Sequence, residues 1–427
     1  MDTKLLDDCF RNDRERLRHD EALAILQQRL RPVAGLERVP LAEALNRILA
    51  QAVVAGHDVP AHTNAAVDGY SFAAADYGEG AATTLELRGR AAAGHPLLGL
   101  AEKATAARIF TGAVMPEGHD TVAMQEDVET AIADGRTIVR IPRGLKPKAN
   151  VRKAGEDLTA GTTVLEAGTV LGPQDLAALA SLGCADVSCY ARLRVATLSS
   201  GDEIVRPGSA LRPGQVYDAN TPMLHGLIAG MGASAADLGV LPDEQGIVRR
   251  RLAEAARRFD VIITSGGASR GEEDHLVAAL DALGKRHLWQ LAIKPGRPMS
   301  FGQIGDCIVL GLPGNPVAVF VCFLLYVWPL LRRLGGAPWP TPRRFLLPAS
   351  FDFPDRKLGR REFWRATLVA GAQGGLAVAK FARDGSGLIS GLRAADGLIE
   401  IPEDVAQVKR GDAVAFMPFT EFGIRAR

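Results

Sequence analysis

The chain has few cysteines, and its opposite charges nearly cancel. The five cysteines (Cys9, Cys184, Cys189, Cys307 and Cys322) are an odd, scattered set with no C-x-x-C pair. This pattern argues against a disulfide framework and against a structural zinc site. With 50 Lys and Arg against 49 Asp and Glu, the net charge is +1, so the composition lacks the basic excess expected of a nucleic-acid-binding protein. A local site for a small anion is compatible with these numbers.

A membrane-spanning segment is also missing from the pattern. The most apolar stretch is VAVFVCFLLYVWPLL at residues 317–331, which is shorter than the roughly 20 residues that cross a bilayer. Its length and Pro329 favour a buried helix. The first residues, MDTKLLDDCFRNDRERLRHD, are polar and unlike a signal peptide. We therefore expect a cytoplasmic protein with reduced thiols and with neither a membrane nor a nucleic acid as partner.

The length of 427 residues exceeds one ordinary core, and changes of pattern divide the chain into four predicted domains. Residues 1–54 and 162–191 are predicted to form a helical linking domain, with an amphipathic helix over 14–31 and a second helix after Pro40. Residues 55–161 place short β-type runs between Gly, Pro and Asp turns. This segment is predicted to be an inserted β-rich module.

The second half of the chain changes texture twice. Residues 192–340 alternate strand-like and helix-like segments, which predicts an α/β domain around a doubly wound, mostly parallel sheet. After the proline-rich PWPTPRR, residues 341–427 return to β-type alternation and predict a C-terminal β-barrel-like domain. The predicted fold class is therefore multidomain α/β.

Three strands of the predicted α/β domain end in glycine-rich loops. Parallel strands present their carboxyl ends at one edge of a sheet, where ligands bind. Glycine is also the default turn residue, so one such loop is weak support, whereas three at neighbouring strand ends favour a phosphate-type site. The loops match neither the P-loop nor the dinucleotide-binding pattern. The candidate substrate-binding residues are Ser199, Gly201, Asp202, Ser265, Gly266, Gly267, Gly311, Pro313, Gly314, Asn315 and Pro316.

Cations and acids accompany these loops. Lys294 and Arg297, in AIKPGRP, follow another strand end, and they are predicted either to neutralise an anion or to be a solvated pair in a turn. The acids at the strand ends are Asp202, Glu203, Asp243 and Asp274. Each alone is more simply explained as a helix cap or an exposed carboxylate. As a converging set beside an anion site, they predict Mg²⁺, which is held by one or two carboxylates together with substrate phosphates.

The β-rich module contains its own polar clusters. PAHTNAAVDGY (60–70), RIFTG (108–112) and RKAGED (152–157) each combine polar or basic side chains with glycine. The residues alone indicate a possible binding surface, and Asp68-Gly69 is also explained as an ordinary turn.

Seven motifs taken together resemble a known family. NAAVDGY (64–70), RIFTGAVMPEG (108–118), GED (155–157), SSGDE (199–203), TSGGASRGEED (264–274), LAIKPGRP (291–298) and GLPGNP (311–316) occur in the order found in molybdopterin molybdenumtransferases. This MoeA-like family includes the C-terminal domain of gephyrin. The resemblance covers essentially the whole chain, and seven motifs in order are highly specific.

The resemblance implies an activity and a set of site residues. It implies Mg²⁺-dependent insertion of molybdenum from molybdate into adenylylated molybdopterin with release of AMP, in a homodimer whose active site is shared between subunits, and contact with the molybdopterin adenylyltransferase. The implied catalytic residues are Asp68, Thr111, Asp157, Glu203, Asp274, Lys294 and Arg297, with Glu203, Asp243 and Asp274 as metal ligands and Arg360, Arg365 and Ser386 as further substrate contacts.

The match departs from the family pattern at three positions. Ala65 stands where the family usually has serine, Ser200 where it has threonine, and Arg297 where lysine is common. These changes bear on substrate geometry, because Arg297 offers a planar fork in place of a point charge. They leave the reaction class unchanged. The sequence leaves open whether molybdate or tungstate is the anion.

Two other functions remain as alternatives. The α/β segment also resembles molybdopterin adenylyltransferases, which predicts ATP-dependent adenylate formation, but the additional β-type domains disfavour that activity. A gephyrin-like scaffold or receptor-clustering role is disfavoured by the lack of long linkers and interaction tails.

Overall fold

A computed structural model describes residues 16–78, 80–266, 275–371 and 374–425, without the side chains of residues 286–289. The first part of the chain is mostly short strands. In chain order, its helices and strands are α1 (His19–Arg29), β1 (Leu36–Pro40), β2 (Val53–Val54), β3 (Asn64–Ala65), β4 (Gly69–Phe72), β5 (Thr83–Ala91), β6 (Thr105–Ile109), β7 (Thr121–Met124), β8 (Glu129–Ala133), β9 (Arg136–Ile141), β10 (Val151–Arg152), β11 (Thr163–Leu165), α2 (Pro173–Ser181) and β12 (Asp186–Tyr190).

The inserted module is built on one six-stranded sheet, in the order β7-β4-β6-β5-β9-β8. Consecutive residues are buried along its strands β4, β6 and β7, and Phe72, Ile109 and Ile141 are fully buried. Two-stranded ribbons (β1 with β12, β2 with β11, and β3 with β10) connect this sheet to its surroundings.

The prediction of a helix after Pro40 is wrong. Only Leu41–Glu43 form a 3₁₀ turn. Leu45 and Asn46 then form a turn, and Ile48 and Leu49 are extended, with Ile48 bridging to Val170 and Leu49 to Cys189. Leu49 contributes to a small core with Val187 and Leu171, and Leu41 packs against it. Pairing with neighbouring chain therefore overrides the helical spacing of these residues.

The α/β segment follows. Its elements are β13 (Arg194–Ser200), β14 (Ile204–Val205), β15 (Val216–Tyr217), α3 (Asn220–Gly230), β16 (Ser234–Leu241), α4 (Gln245–Ala256), β17 (Val261–Ser265), α5 (His275–Leu283), β18 (Lys285–Gln290), β19 (Ile293–Lys294), β20 (Pro298–Ile304), β21 (Cys307–Leu312), α6 (Pro316–Cys322) and α7 (Trp328–Leu334), with π-helical Phe323–Val327 joining α6 to α7.

The central sheet of this segment has the order β16-β13-β17-β21-β20-β18. The first four strands are parallel, and β20 and β18 are antiparallel at one edge. The prediction of a doubly wound, mostly parallel sheet is confirmed, whereas β20 was not anticipated. The register places Ser199 beside Ser265, and Ser265 beside Leu312. The three strand-end loops therefore start at the same level of the sheet.

The helical segment Pro316–Leu334 is long and apolar enough to pass a length-and-composition test for a membrane span, and it is mostly buried inside the protein. It packs between the central sheet and the C-terminal domain, in a core that includes Tyr326 and Leu330. The prediction of a buried helix here is confirmed.

The C-terminal elements are β22 (Phe345–Pro348), β23 (Arg361–Ala370), β24 (Leu376–Lys380), α8 (Ile389–Ala394), β25 (Gly397–Ile401) and β26 (Ala413–Pro418). Strands β23, β25, β26 and β22 form consecutive pairs, and β24 pairs with the other side of β23. Ala349, directly after β22, bridges to Val378 of β24. This bridge nearly closes the sheet on itself, as the predicted barrel-like domain requires.

The buried histidine of α1 links acid stability to this packing. His19 is hydrogen-bonded through Nδ1 to the Tyr326 hydroxyl at 2.8 Å. Burial, assisted by the charge of Arg361, lowers the pKa of His19 to about 3. The unfolded chain therefore binds a proton at this site below pH 6.5, and the folded chain does not until about pH 3. Folding stability falls as the pH is lowered through this window.

We expect His19→Gln to flatten that dependence. Glutamine keeps a hydrogen-bonding group beside Tyr326 but has no proton to gain. The wild-type free energy of unfolding should drop by an amount on the order of a few kcal/mol between pH 6.5 and pH 4, and the variant should drop less. Urea unfolding at a series of pH values measures the slope, with exposed His57→Gln as the control. Equal slopes in all three proteins would contradict the assignment.

Candidate functional site

The carboxyl edge of the central sheet contains a buried polar network. The Ser199 hydroxyl donates to Asp218 Oδ2 at 2.8 Å and lies 3.2 Å from the Ser265 hydroxyl. Thr221 donates to Asp218 through its backbone N–H and its hydroxyl, at 3.0 and 2.8 Å. Burial opposes ionisation of Asp218, but these hydrogen bonds and Arg206, at 3.0 Å, hold its pKa below the usual value. A buried carboxylate thus fixes the base of two predicted site loops.

Two glycines allow these loops to pack closely. Gly201 has a φ of +135°, and a Cβ there would lie 2.4 Å from Glu203 Oε2. Gly266 has a φ of +93°, and a Cβ would approach the Ser200 carbonyl to 3.1 Å. The N–H of Gly266 donates to the Leu312 carbonyl at 3.0 Å. Gly266 therefore provides close approach of the backbone, while its amide is used within the sheet.

Three predicted acids lie on adjacent loops of this edge. Asp202 accepts the backbone N–H of Asp243 at 3.3 Å, and Asp243 accepts the Ser200 hydroxyl at 3.1 Å. Glu203 follows on the same exposed loop. Over the described ranges, no three His, Cys, Asp or Glu side chains are clustered closely enough to hold a metal ion. Gly267 and Asp274 lie outside the described residues.

A pocket of about 460 Å³ opens beside the network, between the α/β segment and the C-terminal domain. It unites residues from three predicted motifs with part of the C-terminal domain. Its lining includes Gly266, Lys294, Pro313, Gly314, Asn315 and Ser386. Gly311 is buried in β21 directly before this loop, and Pro316 starts α6 directly after it.

Asn220 was not singled out from the sequence. Its side-chain amide donates to the Gly314 carbonyl at 2.8 Å, which ties the start of α3 to the pocket loop. Its Oδ1 is buried and has no partner among the described residues. The sequence feature that could have identified Asn220 is the polar cluster Asp218-Ala-Asn-Thr221 at the start of a predicted helix.

Lys294 is the cation in the pocket wall. Its Nζ lies 3.6 Å from Glu362 and 3.7 Å from Asp384, so two carboxylates hold it from different sides. Glu362 is almost fully buried, and it also accepts Trp364 Nε1 at 2.9 Å and Arg360 Nε at 3.1 Å. Glu362 was not singled out from the sequence. It is the shared partner that orders Lys294 and Arg360.

The other predicted arginines differ in their surroundings. Arg297 is exposed on the loop after Lys294. Arg365 is buried and donates to the carbonyls of Leu388, Arg383 and Gly385 at 2.8, 2.7 and 3.2 Å. These bonds shape the loop that carries Ser386. Arg365 therefore acts on the pocket through the backbone around Ser386.

The β-rich module gathers a second group of predicted residues. Asp68 Oδ1 accepts the backbone N–H and the hydroxyl of Thr111 at 2.8 and 2.7 Å. Strand β3 joins their loops to the segment that carries Asp157, through pairing with β10 and the bond from Ala65 N to the Ala113 carbonyl. None of the hydrogen bonds or ion pairs found in the described ranges joins these loops to those around Lys294 or Glu203. Among the site residues that the structure describes, one chain therefore contains two separate groups.

Thr111 controls the ionisation of Asp68. Hydrogen bonds from the Thr111 backbone and then from its hydroxyl hold the pKa of Asp68 below the usual value. We expect Thr111→Val to raise this pKa, because the hydroxyl donor is lost while the backbone donor remains. Thr111→Ser should keep it low. A ¹³C carboxyl NMR titration measures the change, and identical Asp68 titrations in the valine and serine variants would contradict it.

Comparison with known proteins identifies the relatives of this chain. It matches the family models described as the MoeA N-terminal region (domain I and II) over residues 17–183, the probable molybdopterin binding domain over 196–333 and the MoeA C-terminal region (domain IV) over 347–419. It is 37% identical to a molybdopterin molybdenumtransferase of Haemophilus influenzae, over 94% of this chain and 98% of the relative. It is 30% identical to the Bacillus subtilis protein of that name, over 90% of each chain.

Solved structures show the same similarity in three dimensions. A crystal structure of the molybdopterin biosynthesis MoeA protein of Pyrococcus horikoshii is 32% identical, with a TM-score of 0.79, and the alignment covers 95% of this chain and 99% of that one.

A further relative by sequence is gephyrin of Dictyostelium discoideum, which is 29% identical over 74% of this chain and 49% of its own length. The similarity thus extends over all the regions that carry the predicted motifs.

Proposed function

The chain belongs to the molybdopterin molybdenumtransferase family, and from this we propose that it inserts molybdenum from molybdate into adenylylated molybdopterin with release of AMP. The observation that carries the proposal is the pocket of about 460 Å³, which brings Lys294 together with the Gly266 and Pro313–Asn315 loops. The acids of the same sheet edge lie on adjacent loops.

Lys294 has the role of attracting the anionic groups of the substrate. Its ammonium group lines the pocket and is about one-third exposed, so it keeps contact with solvent. Glu362 and Asp384 limit where that charge can move. A positioned cation favours phosphate and oxyanion binding and stabilises the negative charge that develops when the phosphoanhydride breaks. Arg297, exposed on the same loop, adds a second cation for the incoming oxyanion.

The loop after β21 shapes one wall of the pocket. Asn220 fixes the Gly314 carbonyl, and Asn315 precedes the long buried helix. Val317 N donates to the Ser386 carbonyl at 3.0 Å, which closes the pocket against the C-terminal domain. Pro316 has no N–H and the Val317 N–H is used by Ser386, so the backbone amides of Gly314 and Asn315 in the preceding loop would be the donors to an anionic ligand. We assign the Gly314–Asn315 backbone and Ser386 to binding the pyrophosphate and pterin side of the substrate.

The carboxylates at this edge have the chemistry that a magnesium ion prefers. Asp202, Glu203 and Asp243 offer hard oxygen donors on adjacent loops, and one or two carboxylates with substrate phosphates are sufficient for this ion. Glu203 and Asp243 would hold it, with Asp274 as the third ligand implied by family resemblance. When bound, Mg²⁺ would polarise the phosphoanhydride that is cleaved. The hydrogen bond from Ser200 orients the Asp243 carboxylate for this task.

We further propose that the active site is completed by a second copy of the chain. Asp68, Thr111 and Asp157 lie on the β-rich module, whereas Lys294 and Glu203 lie on the α/β segment. A homodimer in which the module of one copy faces the pocket of the other would unite the two groups. A cytoplasmic location and contact with the molybdopterin adenylyltransferase, which would supply the adenylylated substrate, also belong to this proposal.

The test is to incubate the purified protein with adenylylated molybdopterin, Mg²⁺ and either molybdate or tungstate, and to follow AMP release and metal incorporation together. We expect AMP release that depends on Mg²⁺ and is coupled to incorporation. The matched control replaces the adenylylated substrate with molybdopterin and ATP. ATP consumption in that control, without turnover of the adenylylated substrate, would support the adenylyltransferase alternative and overturn the proposal.

A further inference from the structure

A second cavity lies at the opposite end of the central sheet from the candidate site. It is about 40 Å³ in volume and is bounded by residues 46–48, 190–193, 231–233 and the end of α7. These segments precede β13 and β16, whose other ends carry the Gly201 and Asp243 loops. A strand of seven residues spans roughly 20 Å. The cavity is thus separate from the candidate active site.

Three arginines line this cavity: Arg47, Arg192 and Arg332. Arg47 is buried and already paired with Glu37, and it also donates to the Tyr190 carbonyl at 2.9 Å. Arg192 donates to the Gly232 carbonyl, which carries no full charge. The lining residues include no Asp or Glu. The cavity therefore contains more positive than negative charge.

Arg332 is the decisive residue. Its Nη1 is buried and has no hydrogen-bond partner among the described residues. Burial lowers the pKa of its guanidinium, yet arginine stays charged in proteins. The Arg332 side chain as a whole is half-buried, but burying one end of a cation without a compensating charge or hydrogen bond is costly. Arg333, the next residue of the helix, differs because its Nε donates to the Leu30 carbonyl at 3.2 Å.

We propose that this cavity binds a small inorganic anion, held between Arg332 and Arg192, which fastens the linking segments to the α/β domain. A water molecule requires roughly 10–15 Å³ of such volume, so about 40 Å³ accommodates a halide ion or a compact oxyanion but not a large organic acid. The anion supplies the negative charge that the lining lacks. The site does not depend on the proposed catalytic function.

A bromide soak of the crystallised full-length protein tests the site directly. An anomalous peak within hydrogen-bond distance of Arg332 Nη1 is expected. A difference map that shows only water there in both bromide and sulfate, or a carboxylate of a second copy filling the cavity, would overturn the proposal.

Thermal unfolding of the full chain tests the same site in solution. At constant ionic strength, replacing gluconate by the class of anion that the site binds, a halide (chloride) or an oxyanion (sulfate or phosphate), should raise the Tm of the wild-type protein. Once the anion exceeds its dissociation constant, each tenfold increase should multiply the folding equilibrium constant by about ten. The three salts distinguish a halide site from an oxyanion site.

The matched variants are Arg332→Met and Arg333→Met. Arg332→Met should lose the anion response and be about as stable as the wild type in gluconate, because the buried Nη1 that it removes has no hydrogen-bond partner among the described residues. A merely structural arginine would instead lower the Tm equally in every salt. Arg333→Met should keep the anion response. The same response in wild type and Arg332→Met, or a wild-type Tm indifferent to all three anions, would refute the site.

Discussion

Lys294→Met is expected to reduce kcat/KM for AMP release from adenylylated molybdopterin by about 10²–10³-fold, the loss typical of removing one group that stabilises transition-state charge. Methionine has a similar length to lysine but carries no charge. Glu362 keeps Arg360 and Trp364 as partners in this variant, so the buried carboxylate is not left unpaired and the fold should persist. Steady-state AMP release, with circular dichroism as the check on folding, measures the effect.

The matched control is Lys380→Met. Lys380 also pairs with Asp384, and its ammonium lies over the rings of Phe353 and Trp364, but it does not line the 460 Å³ pocket. We expect this variant to retain most of the activity. An equal loss in both lysine variants would show that disturbance of Asp384, and not removal of a cation from the pocket, explains the effect.

Glu362→Gln separates the presence of the Lys294 charge from its position. The amide can still accept from Trp364, but it attracts Lys294 less strongly. We expect a smaller loss than in Lys294→Met, and in the double variant a loss close to that of Lys294→Met alone, because the two side chains act as one unit. Additive losses in the double variant would show that Glu362 affects activity independently of Lys294.

The fold of the α/β segment could be predicted from local pattern because its buried strands and amphipathic helices follow their own periods. The prediction failed where pairing decided the outcome. Leu41, Leu45 and Ile48 have helical spacing, yet Leu41 lies in a short 3₁₀ turn, Leu45 lies in a turn and Ile48 is extended and bridges to Val170. Strand β20 begins at Pro298 and pairs with β21 and β18. Its extended conformation depends on pairing with these two strands, which the local sequence of β20 does not predict.

The candidate site shows the same division. The glycine-rich loops and Lys294 were identified from their position after apolar runs, and the pocket contains several of them. Asp218 was missed because its partner Ser199 is 19 residues away and meets it only in the folded sheet. Glu362 appears in the sequence as one acid among arginines. Its importance comes from burial beside Lys294, a contact between two domains.

The separation of the two residue groups within one chain leads to the last prediction. Asp68→Ala and Lys294→Met should each be nearly inactive alone. If the module of one copy completes the pocket of another, a heterodimer of the two variants contains one site with both defects and one intact site. Random mixing makes about half of the dimers mixed, so about a quarter of wild-type activity should return in the mixture and about half in purified mixed dimers.

The control pairs two defects on the same side of the site. Mixed Lys294→Met and Glu203→Ala chains place one defect in each pocket of the heterodimer, so no recovery is expected. Differently tagged chains, unfolded, refolded together and purified through both tags, give the mixed dimers needed for the AMP-release assay. Inactivity of purified Asp68→Ala and Lys294→Met heterodimers would show that the two residue groups are not united across the subunits. Recovery in both mixtures would indicate that the Lys294 and Glu203 defects also lie in different sites. That result would contradict the assignment of Lys294 and Glu203 to one side of the shared site and Asp68 to the other.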